Sequence, residues 1–221
     1  MTTTEVSPLA AFTPAERRLI RRLRTPDAVQ RYLNSLPYNT ERRGDTLRSF
    51  RQVVRHGTAH CLEAALFAAC VLEHHGYPPL LFTLESVDGL DHVLFLYRQN
   101  GRWGTVARSR DPGLHGRKPV FATLRALAMS YFDAYIDPTG CIEGYASFDL
   151  TTVDYDWRFA RRNMWKVERI LIDVPHRRIK FSDKYVAGVR ARYVAYREKY
   201  GKKPLFYSGR NKWTPIPREY R

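Results

Sequence analysis

The chain has 221 residues, of which 44% are hydrophobic and 13% aromatic, enough to form one sizeable core. No apolar run reaches the roughly 20 residues that cross a bilayer, so we expect no transmembrane segment. The N-terminus has neither a basic start nor the apolar stretch of a secretion signal, which predicts a cytoplasmic protein. Three cysteines without a CxxC pair argue against a disulfide framework and against a zinc site of the usual spacing.

The net charge of +15 is unevenly distributed along the chain. Residues 1–60 carry +6, residues 61–120 are neutral, and residues 121–221 carry +9. These basic flanks predict either a solvated surface or an anionic partner, such as nucleic acid or an anionic membrane face.

Helix signals dominate the first third of the chain. Thr13-Pro14-Ala15-Glu16 combines an N-cap, a proline at the first helical position and a capping-box acid, so a helix starts there. Thr25-Pro26-Asp27 predicts a second helix, through about residue 36. Asp45 is the predicted cap of a third helix over residues 46–55.

The most apolar helix begins at Cys61, and His74-His75-Gly76 ends it. Three strands follow, over residues 80–86, 92–98 and 102–106, joined by tight turns at Asp88-Gly89 and Asn100-Gly101. A helix followed by an antiparallel meander predicts an α+β fold, in which the cysteine-bearing helix packs centrally on the sheet.

The second half is harder to assign. Residues 107–119 form a predicted loop that is long enough to suggest function, and residues 122–132 a helix. Residues 145–149 and 165–172 are predicted to be extended, with a helix as the alternative for the second segment. Residues 183–200 form a basic helix with apolar positions along its predicted buried side: Tyr185, Val189, Tyr193 and Tyr196.

We therefore predict three parts in one domain. They are an N-terminal helical segment (1–44), a catalytic core (45–175), and a basic C-terminal helix and tail (176–221). The tail after Gly201 is expected to lie against the domain or to be loosely ordered.

Cys61 is the candidate nucleophile. A thiol at a helix N-terminus is favoured as thiolate by the unpaired N–H groups there, and the same groups can hold an oxyanion. The alternative is a buried structural cysteine, which is also the simplest interpretation of Cys70. Cys141 has no apparent partner.

His92, at the head of the second strand, is the candidate base. Asp111 precedes a proline and can accept the second N–H of His92, which would set the imidazole tautomer. Asp111 can equally be an Asp-Pro turn residue. Ser109 is a substitute for it, and His115 a further contender.

The other histidines can suggest a metal, but His74 and His75 are adjacent and point about 100° apart on a helix. We therefore treat His56, His60, His74 and His75 as exposed or helix-ending residues, and predict no metal and no cofactor. Arg117-Lys118 can hold an anionic group of a substrate.

These residues resemble the transglutaminase-like superfamily of papain-like cysteine enzymes, of the bacterial cysteine peptidase type. The resemblance covers about residues 45–120 and lies in Ala59-His60-Cys61-Leu62-Glu63-Ala64-Ala65, Asp91-His92-Val93-Leu94, Trp103 and Asp111-Pro112. It implies that Cys61 is the nucleophile, His92 the general base and Asp111 the orienting acid, in acyl transfer from amides or esters. The family acid usually follows the tryptophan by about four residues, whereas Asp111 follows Trp103 by eight, so either the loop is longer or Asp111 is only a turn residue.

Two functions follow from the sequence. The first is a thiol-dependent hydrolase or acyltransferase that acts on an amide, peptide or ester bond through a Cys–His–Asp triad without a cofactor. The alternative is a catalytically inactive binding module on the same scaffold, which recognises an anionic partner through its basic flanks.

Overall fold

A computed structural model describes residues 6–42, 44–203, 205 and 209–220. Its helices are α1 (Pro14–Arg22), α2 (Pro26–Ser35), α3 (Phe50–His56), α4 (Cys61–Glu73), α5 (Leu124–Met129), α6 (Phe132–Tyr135), α7 (Trp165–Asp173) and α8 (Asp183–Tyr200). Its strands are β1 (Leu80–Ser86), β2 (His92–Gln99), β3 (Arg102–Val106), β4 (Arg117–Phe121), β5 (Ile142–Asp149) and β6 (Arg177–Arg178). Over these ranges, no helix combines the length and the apolar character needed to span a bilayer.

The strands form one sheet in the order β4-β3-β2-β1-β5-β6, and every neighbouring pair is antiparallel. The predicted meander β1-β2-β3 is present and lies in the middle of the sheet. Asn100 and Gly101 both have positive φ (49° and 73°), the geometry of the tight turn that joins strands with a right-handed twist. The α+β prediction is confirmed.

Helix α4 is central because it is apolar on all sides. Every residue of α4 after Cys61 is buried, and the helix packs on β2 while α1, α2 and α3 cover its outer side. The opposite face of the sheet packs against α5, α6 and α8 through Leu94, Leu127, Phe132 and Val189. Helices α1 and α2 contribute to the same core as α4, and the domain boundaries at residues 44 and 175 stay predictions.

The predicted capping box of α1 is present. The Thr13 N–H donates to Glu16 Oε2 at 2.7 Å, and the Glu16 N–H donates to Thr13 Oγ1 at 3.3 Å. The Glu16 carboxylate also accepts from Arg51 Nε at 2.8 Å, so the cap of α1 binds α3.

The third helix was predicted to begin too early. Helix α3 begins at Phe50 and is capped by Ser49 rather than by Asp45. The preceding segment is held out of a helix because the buried Glu63 carboxylate accepts the Arg48 N–H at 3.0 Å. This long-range hydrogen bond outweighs the local helix signal.

Two further segments differ from prediction. Residues 165–172 form a helix, which was the alternative prediction for this segment, because Val167 and Leu171, four residues apart, form the buried side of α7. The predicted loop 107–119 contains a 3₁₀ turn at Pro112–Leu114 and the start of β4. Helix α8 has its predicted bounds, but of its predicted buried side only Val189 is buried, and Tyr185 is 44% exposed.

Candidate active site

Cys61 is the first residue of α4 and is only partly buried, whereas Cys70 and Cys141 are buried. The helix starts here because His60 is extended and its N–H donates to Glu63 Oε2 at 3.0 Å. First-turn N–H groups have no intrahelical carbonyl to bind, so Cys61 Sγ lies at the positive end of a 13-residue helix.

His92 is the first residue of β2 and is buried. Its Nε2 atom lies 2.8 Å from the carbonyl oxygen of Leu114. Because a carbonyl oxygen can only accept, Nε2 carries the proton, and Nδ1 is the acceptor of the neutral ring. The main chain therefore sets the tautomer of His92.

His60 is a second imidazole at the thiol, and the prediction that it is an exposed or helix-ending residue was wrong, because its side chain is only 12% exposed. Its Nδ1 atom lies 4.0 Å from Cys61 Sγ, and its Nε2 atom lies 2.9 Å from the Thr46 carbonyl oxygen. The same reasoning gives Nε2 the proton and turns Nδ1 towards the thiol. The only sequence signal was its position as the residue before the cysteine at a helix start.

The buried Glu63 carboxylate holds this arrangement together. It accepts from Asn39 Nδ2, Thr46 Oγ1, the Arg48 N–H and the His60 N–H, each at 3.0 Å. Glu63 Oε1 also lies 3.6 Å from His60 Nε2. Glu63 thus binds the 39–48 segment to the N-terminus of α4 and places negative charge beside His60.

The thiol and the imidazoles shift each other's pKa values. Burial raises the pKa of Cys61, but hydrogen bonding with His60 and His92, together with their charges, outweighs it and leaves that pKa well below the ordinary range. Burial lowers the pKa of His60, but the hydrogen bond and the charge of Cys61, then Glu63 and the Thr46 carbonyl, raise it to about 9. At neutral pH this site therefore favours a thiolate beside an imidazolium.

Asp111 lies in the same cleft, but the His92 Nε2 proton goes to the Leu114 carbonyl instead. Asp111 Oδ1 accepts the Gly113 N–H at 2.7 Å, and the Asp111 N–H donates to Ser109 Oγ at 3.1 Å. Burial raises the pKa of Asp111. Asp111 therefore caps the 3₁₀ turn whose last residue presents its carbonyl to His92.

The remaining contenders have other surroundings. Ser109 binds the main chain of Asp111, as described, and lines the cleft. His115 is fully buried away from the cleft lining, and burial lowers its pKa to about 3, so it is neutral. The prediction that Arg117 holds a substrate anion was wrong, because its buried guanidinium donates to the carbonyl oxygens of Gly113, His115 and Ser130.

The C-terminal residues 209–220 lie against the loop that carries Asp111 and Leu114. Glu219 Oε1 accepts from Arg108 Nη2 at 2.8 Å, and the Tyr220 hydroxyl donates to the Arg110 carbonyl oxygen at 2.6 Å. The tail therefore supports the turn that sets the His92 tautomer.

Cys61, His60 and His92 open into a cleft of about 630 Å³. Sites for small ligands usually measure about 300–1,000 Å³, so a short peptide segment can enter. Aromatic side chains line part of the cleft, among them Tyr38, Tyr135 and Trp165. Within the described ranges, no group of three or more histidine, cysteine, aspartate or glutamate side chains is arranged to hold a metal ion.

No protein-family model matches the chain, and no curated protein matches it. Among solved structures, the chain is similar to Legionella pneumophila LapG at 16% identity over 45% of this chain and 66% of that one, with a TM-score of 0.34. EGTA-treated LapG is 12% identical over 66% of this chain and 84% of that one, with a TM-score of 0.36. Calcium-bound LapG is 13% identical over 75% of this chain and 95% of that one, with a TM-score of 0.35.

Proposed function

We propose that this protein is a thiol-dependent hydrolase or acyltransferase of peptide or related amide bonds, with Cys61 as nucleophile and His92 as general base. The observation that carries the proposal is a thiol of lowered pKa at a helix N-terminus, beside two imidazoles, in an open cleft. A thiol in such surroundings is a reactive nucleophile rather than an inert core residue.

In the first step, the Cys61 thiolate attacks the carbonyl carbon and forms a C–S bond. The carbonyl oxygen takes up negative charge, which the first-turn N–H groups of α4 can stabilise. The C–N bond then breaks, and His92 Nδ1 donates to the leaving amine the proton that it accepted from the Cys61 thiol when the thiolate formed. A thioester on Cys61 remains.

In the second step, water or an amine attacks the thioester while His92 Nδ1 accepts its proton. The C–S bond breaks, and the thiolate is restored. The His92 ring keeps one orientation throughout because Nε2 stays bound to the Leu114 carbonyl. Asp111 acts in this scheme as a positioning residue, through the turn that holds Leu114.

A labelling experiment tests the nucleophile. With limiting iodoacetamide at pH 7, peptide mapping by mass spectrometry should find Cys61 modified ahead of Cys70 and Cys141.

A cleavage experiment tests the reaction. The full chain should cleave peptides of a mixed-sequence library, and cleavage should be absent with Cys61→Ala but continue with the matched variant Cys70→Ala. Added hydroxylamine would divert the product to a hydroxamate if an amine can replace water. Equal labelling of all three cysteines, or cleavage that survives Cys61→Ala, would refute the proposal.

A second function, binding of an anionic partner, is favoured by the exposure of α8, in which only Val189 is buried. Residues 121–221 carry nine of the fifteen net positive charges. Binding of nucleic acid that weakens steeply with salt and is unchanged in Cys61→Ala would support this function. Absence of binding at low ionic strength would remove it.

A further inference from the structure

The charge of the cleft is opposite to that of the whole protein. Among the described residues, seven carboxylate side chains and one guanidinium, that of Arg110, line the cleft, an excess of six negative charges. The carboxylates are Glu41, Asp45, Asp88, Asp91, Asp111, Asp137 and Glu168. The full chain carries +15, so the residues outside the cleft are strongly basic.

Part of this negative charge has a structural role at one end of the cleft. Asp88 Oδ1 accepts from Ser86 Oγ at 2.7 Å, and Asp91 Oδ1 accepts the Ser86 N–H at 2.9 Å. Asp137 Oδ1 accepts the Gly140 N–H at 2.5 Å. These three carboxylates stabilise turns and would be present whatever the cleft binds.

Three other carboxylates line the cleft together with Cys61 and accept fewer hydrogen bonds. We call them the proximal carboxylates: Glu41, Asp45 and Glu168. Glu41 Oε1 accepts the Thr46 N–H at 2.8 Å. In the described part of the chain, no donor group lies close enough to the carboxylate of Asp45 or Glu168 to form a hydrogen bond or an ion pair with it. Partial burial raises the pKa of Glu168, and the charges of Glu41 and Asp45 raise it further, against an opposing effect of the His60 charge.

The imidazolium of His60 offsets only part of the charge of the proximal carboxylates. Its Nε2 atom lies 3.9 Å from Glu41 Oε1, but the same single positive charge also faces Glu63 Oε1, at 3.6 Å, and the Cys61 thiolate. Three carboxylates that repel one another at the rim of a cleft are stabilised by any cation that enters it. A cleft lined by one sign of charge also concentrates ligands of the opposite sign.

We propose that the cleft selects a cationic peptide segment, with a lysine or arginine side chain beside the bond that Cys61 attacks, and that Glu41, Asp45 and Glu168 determine this specificity. The inference deepens the proposed function and rests on it. Ammonium and guanidinium groups donate charge-assisted hydrogen bonds to carboxylates. The rest of the basic surface repels such a segment, so the cleft is where it binds.

Charged thiol reagents test the inference on the intact protein. We compare the rates at which Cys61 reacts with 2-aminoethyl methanethiosulfonate, its anionic 2-sulfonatoethyl analogue and the neutral methyl reagent. The cation should react faster than the anion by on the order of tenfold at low salt, after correction for reaction with a free thiol, and salt should reduce the ratio.

The triple variant Glu41→Gln/Asp45→Asn/Glu168→Gln distinguishes the effect of the proximal carboxylates on the reaction rates from the effect of the thiolate's own charge. It should lower the cation-to-anion ratio several-fold. A control with the same change of net charge outside the cleft lining, Asp154→Asn/Asp173→Asn/Glu198→Gln, should leave the ratio near the wild-type value. Equal ratios in the two triple variants, or no preference for the cation in the wild type, would overturn the inference.

Peptide binding gives an independent measurement. Fluorescein-labelled hexalysine should bind full-length Cys61→Ala at low salt, and binding should be lost when the proximal carboxylates are also replaced but not with the control substitutions. Failure of hexalysine to bind would count against the inference. The neutral reagent distinguishes the two proposals: an ordinary thiol rate at Cys61 would refute the proposed chemistry, whereas a rapid rate without charge preference would refute only the specificity.

Discussion

The Nδ1 atom of His60 lies 4.0 Å from the Sγ atom of Cys61, so two consecutive residues bring an imidazole and a thiol together at the start of α4. The cation beside the thiol therefore comes from the N-cap of the helix that bears the thiol. His92 approaches from the sheet and is oriented separately, by the Leu114 carbonyl. The thiol thus depends on two histidines that different parts of the fold hold in place.

His60→Gln should raise the pKa of the Cys61 thiol by about one unit or more, because it removes the imidazolium that hydrogen-bonds to the thiolate. Each pKa unit corresponds to about 1.4 kcal/mol of lost thiolate stabilisation. In the wild type the lowered pKa means that thiolate is already present at neutral pH, so the rate of alkylation by iodoacetamide should be level above pH 7 and fall only in acid. In His60→Gln the rate should keep rising into the alkaline range. The control is His56→Gln, which changes an exposed histidine. Identical pH profiles for the wild type and both variants would contradict the prediction.

Asp111→Asn and Asp111→Ala distinguish a turn cap from an acid that bonds directly to His92. Asparagine keeps an oxygen for the Gly113 N–H, so Asp111→Asn should retain the Nε2–H tautomer of His92, measured by ¹⁵N NMR, and rapid Cys61 alkylation. Asp111→Ala should reduce the alkylation rate, because the turn loses its cap.

Asp149→Ala is the matched control for these variants. It removes an equivalent cap, in which Asp149 Oδ1 accepts the Thr151 N–H at 2.8 Å outside the cleft. It should leave the His92 tautomer unchanged. An altered tautomer in Asp111→Asn would show that the carboxylate itself orients the ring.

Glu63→Gln should destabilise the protein by about 1–3 kcal/mol, because a buried carboxylate that accepts four hydrogen bonds is replaced by an amide with only one accepting oxygen. It should also raise the pKa of Cys61, since His60 loses a neighbouring negative charge. Urea unfolding measures the first effect and the pH profile of alkylation the second.

Glu143→Gln is the control for Glu63→Gln. Its partly exposed carboxylate pairs with the exposed Arg178 at 2.6 Å, a surface ion pair that should contribute about 0–1 kcal/mol. Equal losses of stability in the two variants would mean that Glu63 does not hold the site together.

Arg158→Met should cost about 3–5 kcal/mol, because it leaves the buried Glu73 carboxylate without its partner. Arg158 Nε and Nη2 each lie 2.6 Å from a Glu73 oxygen, at the end of α4 far from Cys61. The double variant Glu73→Leu/Arg158→Met should lose less stability than the single one in urea unfolding. A single variant as stable as the double would show that the pair is dispensable.

The sequence predicted the parts of the fold that depend on short-range signals. The capping box at Thr13, the apolar helix from Cys61 and the turn at Asn100-Gly101 each follow from residues within a few positions of one another, and all are present. The placement of Cys61 at a helix N-terminus, and of His92 at a strand start, followed from the same kind of signal.

The rest depended on contacts between distant residues. Residues 45–49 are not helical because Glu63 binds Thr46 and Arg48, and no local pattern predicts those hydrogen bonds. Residues 165–172 were predicted to be extended, with a helix as the alternative, and only packing of Val167 and Leu171 decides for helix α7. The acceptor for His92 was sought among side chains, and a main-chain oxygen from a residue 22 positions away has no sequence signature.

The oxygen that orients His92 belongs to the peptide backbone of Leu114, and no replacement of that leucine's side chain removes it. Alanine scanning would therefore leave the contact intact and would not reveal that Leu114 orients the His92 ring. Homologues can differ at this position without loss, provided the chain follows the same path. Conversely, a one-residue deletion between Ala107 and Gly116 would misdirect the imidazole of His92 while Cys61 and His60 stayed in place.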